Sequence, residues 1–399
     1  MRGRNVIAAS RPLLFRRENA WNLTDQIAAS GSNILANILI ARFAGPRSLG
    51  LFAIVFAVYV LAMGMQRVLC GEPLLVASNL AYEDESRMFC RSVLILAVPA
   101  VAAAAVLAMF NPAYSLAAIL VAAATLEDLL RYIAFRRKEA RFAAEMDLLW
   151  IISLALMAPV LLLSRGSSIG MCLWAFGGGL AAIYGFFRLR LGWEWRGLDW
   201  KSRFWPYAKF LVVDSIGNHV TGQATIAIVS TVFGVVGAGQ FRAAQLLLSP
   251  GVIVLNGATM ALAPRSAASV DPDRHKAAFR WVAAIGILVG IGIATVGRWA
   301  LPMALGPAYG AARALLLPTG ALMAILALSN GAAIRLRARR QGGSLAKART
   351  AAVLVGVPLL LVGAQYILAA VCWMLVVQAM VYLAVLEWSA YRSPDTSVM

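Results

Sequence analysis

Charge is scarce in this chain. Of its 399 residues only 14% are Asp, Glu, Lys or Arg, whereas 61% are hydrophobic and the mean hydropathy is +0.77. A soluble domain needs more polar side chains than that to cover its surface, so water is excluded as the main solvent. Histidine occurs twice, as His219 and His275, and the four cysteines (Cys70, Cys90, Cys172, Cys372) include no CxxC pair and no neighbouring His. No metal site or other cofactor is therefore expected, and the cysteines read as small apolar fillers. Nor is there a nucleophile–base pair or a phosphate-cradling glycine loop in a credible context, so no catalytic residue is assigned and an enzyme is not expected.

Long apolar runs take the place of these features. Residues 92–126 and 350–386 contain no charged side chain, and Asn111-Pro112 breaks the first run into two helices. The pattern predicts twelve transmembrane helices, over 20–43, 49–72, 88–109, 112–135, 143–164, 168–189, 206–233, 238–262, 279–301, 312–334, 349–364 and 367–388. Twelve spans of about 20 residues use roughly 240 positions, which leaves short connections and no soluble domain.

Basic residues alternate between the two sets of connections. One set, with the termini, holds 29 Lys and Arg; the other holds only Arg42, Arg47, Arg165, Arg242, Arg298 and Arg313, with Arg67 inside a span. Positive loops stay in the cytoplasm, so both termini are expected there and the protein is expected to be multi-pass in a bacterial cytoplasmic (inner) membrane. The net charge of +18 is thereby explained by topology, and nucleic acid is not an expected partner.

A shift of 189 residues lays Asp25 on Asp214, Gly45 on Gly234, Gly50 on Gly239 and Phe52 on Phe241. Each half holds six helices, an even number, so the repeat is parallel, about a pseudo-two-fold axis normal to the membrane. The expected organisation is a basic cytoplasmic arm (1–19), an N-terminal six-helix bundle (20–189), a basic linker (190–205), a C-terminal six-helix bundle (206–388) and a cytoplasmic tail (389–399).

Ionisable residues within spans are costly and face a cavity or a partner. They are Asp25, Arg67, Glu72, Glu127, Asp128, Arg131, Glu145, Asp147, Asp214 and His219, most of them in the N-terminal half. Glu127 and Arg131, spaced i,i+4, can pair on one helix face. In the bland reading this is an internal ion pair. In the functional one Arg67 and Arg131 line a polar cavity and take an anionic headgroup, since the planar guanidinium matches a phosphate bidentately. Asp25 and Asp214, at equivalent depths, are either ion-coupling acids or residues placed near a helix start by its dipole.

The stretch Asp25 to Phe52, with its turn ARFAGPRSLGLF, resembles polysaccharide flippases, the Wzx-like branch of the MOP exporter superfamily that also holds MATE exporters and the lipid II flippase MurJ. Gln66-Arg67, Gly71-Glu72-Pro73 and the second turn at 234–241 look similar too. The resemblance implies an all-α, MATE-like pair of six-helix bundles around a central cavity. It implies movement of a polyprenyl-diphosphate-linked oligosaccharide to the outer leaflet by alternating access, for polysaccharide biosynthesis. It also implies cavity residues at Arg67, Glu127, Arg131 and Asp25, with ion coupling at Asp25 and Asp214. Spans 8–12 are almost free of charge, so a headgroup site is expected mainly in the N-terminal half. Expected partners are the lipid-linked substrate, membrane lipids, a polysaccharide polymerase and glycosyltransferases. The alternatives are an ion-coupled MATE-type drug exporter and a non-transporting scaffold of a synthesis complex.

Overall fold

The computed structural model describes residues 17–71, 73–74, 82–109, 112–164, 167–194, 200–253, 255, 272–338 and 342–392. Glu72, most of the N-terminal arm, the middle of the 190–205 linker and the end of the C-terminal tail lie outside the described residues.

Among the described residues the secondary structure is helical throughout. The first apolar stretch forms α1 (17–44) and α2 (46–66), parted where Gly45 adopts φ 80°. A β-carbon disfavours that conformation, and Pro46 lacks the N–H that would carry a single helix through. A π-turn, Arg67–Gly71, closes α2. There follow α3 (Tyr82–Ala108), α4 (Pro112–Arg136), α5 (Ala140–Ser164), α6 (Ser167–Arg188), α7 (Trp200–Val232) and α8 (Gly234–Leu246). The last four are α9 (Pro272–Leu305), α10 (Leu316–Ala338), α11 (Gly342–Ala364) and α12 (Leu368–Arg392). Among the described residues these helices are consistent with the all-α, twelve-span architecture that the sequence predicts. Among the described residues seven helical stretches, one of them covering both α1 and α2, are long and apolar enough to cross a membrane by length and composition alone. Large apolar side chains such as Leu156, Leu163, Leu288 and Leu354 are exposed on the outside, as suits hydrocarbon rather than water.

Two differences from the predicted spans have physical causes. Several helices begin a turn or more before the apolar run: α3 starts at Tyr82, with Glu83, Asp84 and Glu85 in its first turn. Charge marks where the hydrocarbon ends, whereas the helix continues beyond it, and acidic residues favour its positive N-terminal pole. In contrast, α10 begins at Leu316 rather than 312. The residues before it form a 3-10 segment, Pro307–Leu315, entered through Gly306 at φ 99°.

The N-terminal bundle packs around aromatic rings. Trp174 on α6 lies edge-on to Phe52 and Tyr59 of α2, with centroids at 5.4 and 4.9 Å, and Trp150 of α5 donates its indole N–H to the Trp174 carbonyl at 2.8 Å. At the arginine-rich end of this bundle, Glu85 of α3 pairs with Arg136 (3.1 Å) and Arg137 (2.6 Å) of α4. Arg137 also donates to the Leu189 carbonyl, and the Gly192 N–H donates to the Ser86 hydroxyl, so α3, α4 and the chain after α6 are tied together there.

Among the described residues the two halves meet through α1, α2 and the π-turn on one side and α7, α8, α9 and the 3-10 segment on the other. The repeat explains the geometry. Gly234, equivalent to Gly45, has φ 70°. A β-carbon on Gly50 would collide with the Val235 carbonyl, and one on Gly239 would collide with the Pro46 carbonyl. Residues 46 and 235, like 50 and 239, are related by the same shift of 189, so the contact is reciprocal: each half offers its glycine to the other's turn. A two-fold interface has this form. Phe52 and Phe241, the next matched pair, are both buried beside it.

Larger side chains should therefore wedge the halves apart. Gly50→Val or Gly239→Val is expected to lower the melting temperature of the purified protein, by an overpacking penalty of about 1–3 kcal/mol. Gly222→Ala, where a β-carbon meets nothing within 4 Å, should leave it unchanged or raise it. Equal melting of all three variants would refute the reciprocal contact.

Candidate functional site

Three helices and the π-turn converge on one buried set of charges. α1 brings Asp25, the π-turn Arg67, α4 Glu127, Asp128 and Arg131, and α5 Asp147. The π-turn breaks helical register, and such single turns recur at functional positions. On α4, Glu127 and Arg131 share a face by i,i+4 spacing and Asp128 lies beside them at i+3 from Arg131.

Arg131 grips Asp25 bidentately, Nε to Oδ1 at 3.0 Å and Nη2 to Oδ2 at 2.5 Å, across 106 residues of sequence. Its Nη1 donates to Asp128 at 3.3 Å. Arg67 donates to both oxygens of Asp128, Nε to Oδ2 at 2.7 Å and Nη2 to Oδ1 at 2.6 Å, so the two arginines share Oδ1. The result is a chain, Arg67–Asp128–Arg131–Asp25. Asp147 lies 3.1 Å from Arg131 Nε, and Glu127 only at 4.0 Å. Both Asp147 carboxylate oxygens and Glu127 Oε1 are buried without a hydrogen-bond donor among the described residues.

Charge counting gives the site its chemistry. Four carboxylates face two guanidiniums, so full ionisation would leave two uncompensated negative charges in an apolar interior. Buried charge is tolerated best when paired, so among the described residues the surplus acids are the costly members of the cluster as anions. Asp147 and Glu127, with oxygens that meet no donor among the described residues, are those members.

Asp25, Arg67, Glu127 and Arg131, all singled out from sequence, are thus brought together. Asp214 lies on α7, and its side chain is outside the described residues. The two arginines differ in reach. Arg131 has a side chain 7% exposed and is surrounded by carboxylates, whereas Arg67 is 35% exposed at the edge of the cluster.

A third arginine, counted from sequence among loop charges, occupies a separate position. Arg242, two turns into α8, projects across the seam between the halves. Its Nε donates to the Asn37 amide oxygen of α1 at 3.0 Å, and its guanidinium lies 4.2 Å from the Phe56 ring centroid of α2. It is half-buried, and among the described residues no carboxylate lies within ion-pair distance. Asn37, fully buried, is itself anchored by donating to the Asn33 carbonyl at 2.7 Å. Both Asn37 and Arg242 lie eight residues from their turn glycines, Gly45 and Gly234, which places them about 12 Å into the bundle. The only sequence signal for this site was a charged residue a few positions inside an apolar run.

The turn end is closed above Arg242. Arg42 donates to the Met303 carbonyl at 2.9 Å, and the buried Tyr309 hydroxyl donates to the Ala41 carbonyl at 3.4 Å. Gln240 of α8 fixes the 3-10 segment by donating to Ala308 (2.9 Å) and accepting from Ala312 N–H (3.1 Å).

If Asp128 is the bridge, its loss should exceed that of either surplus acid. Asp128→Asn is expected to destabilise the protein by about 3–5 kcal/mol by stranding two buried guanidiniums. Glu127→Gln and Asp147→Asn should be neutral or stabilising in the same thermal denaturation. The reverse order would show that the acid surplus is not a burden on the fold.

No family model matches the sequence, and no curated protein matches it. Solved structures of similar fold exist. An inward-facing multidrug resistance MATE family transporter of the MOP superfamily superposes with a TM-score of 0.70 at 12% identity, covering 92% of this chain and 94% of the other. The lipid II flippase MurJ in an inward closed conformation gives 0.70 at 11% identity over 94% and 88%. An outward-facing MATE family transporter of the MOP superfamily gives 0.62 at 11% identity over 94% of both chains. The fold is that of these membrane transporters.

Proposed function

We propose that this protein is a flippase of the MOP superfamily, carrying a polyprenyl-diphosphate-linked oligosaccharide from the inner to the outer leaflet by alternating access. The observation that carries this reading is Arg242. A half-buried guanidinium at the seam that meets, among the described residues, a neutral amide and a ring rather than a carboxylate can take an anion, and a phosphate matches its donors bidentately. Arg67, partly exposed at the edge of the acidic cluster and about 20 Å further from the turn than Arg242, offers a separate anion contact toward the other end. Arg131 has a different part in this proposal: it holds Asp25 and Asp128, and with them the acids that take up protons or a cation as the halves move. Asp25, Glu127 and Asp147 form the coupling site, and Asp214 is its counterpart in the second half.

The excess of basic residues in one set of connections supports an orientation with that end, and both termini, in the cytoplasm. The turn end then faces outward, and the seam as described is shut to the outside. A cargo made by glycosyltransferases and consumed by a polymerase would enter from the cytoplasmic leaflet.

One observation favours a second reading. The surplus of buried carboxylates suits a cationic drug as well as a coupling ion, as in a MATE-type exporter. The two separate on Arg242. For the flippase, Arg242→Ala should weaken cargo binding about 10- to 100-fold by removing a charge-assisted contact. Surface polysaccharide should fall accordingly, with unchanged protein level and unchanged resistance to cationic drugs. Intact polysaccharide with lowered resistance would favour the exporter.

A further inference from the structure

We propose that Asn37 makes Arg242 a cargo-operated latch, one that an anionic headgroup opens and a neutral molecule does not. The inference rests on the anion-binding role of Arg242 and adds what binding there does to the seam.

The protein's own ion pairs show which edge of a guanidinium an oxyanion takes. Asp128 meets Arg67 through Nε and Nη2, and Asp25 meets Arg131 through the same two atoms. In Arg242 that edge is already engaged, because its Nε donates to the Asn37 amide oxygen. A phosphate that docks on Nε and Nη2 must therefore displace Asn37. The exchange favours the phosphate: both bonds have a charged donor, but the phosphate adds a charged acceptor and a second, parallel hydrogen bond. A sugar hydroxyl or an uncharged drug has no such advantage over the amide, and a cation is repelled.

Displacement matters because of what the bond joins. Asn37 belongs to α1 and Arg242 to α8, so the bond bridges the halves beneath the reciprocal Gly50 and Gly239 contacts. Asn37 cannot follow the guanidinium, since its amide N–H is held by Asn33, whose own amide donates to Ala29 at 3.1 Å. When the anion takes Arg242, the seam keeps its glycine packing and loses this polar tie. Asn37 is thus a positioning and specificity residue: as a neutral acceptor it holds Arg242 strongly enough to close the seam and weakly enough to yield it.

The replacement Asn37→Asp tests this directly, because a carboxylate would hold Arg242 against the cargo while keeping the side chain's size. Ala238 of α8, buried in a cluster with Ala53 and Ala57 of α2, supplies a reporter: in a protein with its four native cysteines replaced by alanine, Ala238→Cys is shielded while the seam is closed. Labelling by a membrane-impermeant thiol reagent is followed in nanodiscs with undecaprenyl diphosphate or, as neutral control, undecaprenol. The diphosphate should accelerate labelling about tenfold, and undecaprenol should not. Asn37→Asp should abolish the acceleration, and Asn37→Ala should raise labelling before any lipid is added. The Ala variant keeps the test decisive if the Asp variant folds poorly. Equal acceleration in the parent and in Asn37→Asp would overturn the latch, as would low lipid-free labelling in Asn37→Ala. If undecaprenyl diphosphate binds in an Arg242-dependent manner without changing the labelling, the latch alone fails. If it binds Arg242→Ala as tightly as the parent, the anion site fails with it.

Discussion

An ionised side chain in hydrocarbon is tolerated only beside a partner, and the arrangement of this protein's interior follows from how that requirement is met in two places. Within the N-terminal bundle it is met by carboxylates: Arg67 and Arg131 share Asp128, and Arg131 closes on Asp25. These bonds bind α1, the π-turn and α4 into one unit, with Asp147 of α5 alongside. At the seam it is met by an amide and an aromatic ring, which leave the charge of Arg242 in place. The first solution ties these helices together and leaves, among the described residues, a surplus of acid. The second leaves a cation where two bodies meet.

The separation of roles follows. A saturated guanidinium binds its own helices and has little left for a ligand, whereas one resting on a weak acceptor can exchange it. In the proposed function the acidic surplus of one half serves protons or a small cation, and the seam guanidinium, which meets no carboxylate among the described residues, serves an anion. The glycine contacts above the seam allow close approach of the two halves and carry no charge of their own, so the seam can part without exposing one.

Much of this was legible in the sequence. Uncharged runs locate twelve helices because a bilayer admits little else, and the 189-residue shift found Gly45/Gly234, Gly50/Gly239 and Phe52/Phe241 before their shared reasons were visible. Those reasons are a left-handed φ, a backbone collision and a buried ring. The gathering of Asp25, Arg67, Glu127 and Arg131 was expected, and so was an internal ion pair. The partners were not: Arg131 bonds chiefly to Asp25, 106 residues away, rather than to Glu127 one turn away, because pairing across helices depends on packing that i,i+4 spacing does not contain. Arg242 was read as a loop charge, since distance from a turn in sequence says little about depth when a helix starts at the turn itself. Nor did spacing foretell the 3-10 segment before α10, whose composition matches that of a span.

The central claim is that Arg242 receives the diphosphate of a lipid-linked cargo that the protein then moves between leaflets. The most direct measurement is flipping of a fluorescent undecaprenyl-diphosphate-linked sugar in proteoliposomes, read as the fraction that becomes accessible to a quencher outside. The account predicts flipping well above protein-free vesicles, lost in Arg242→Ala. Flipping by Arg242→Ala at the parent rate, or none by the parent protein in vesicles where it is folded and correctly inserted, would contradict it.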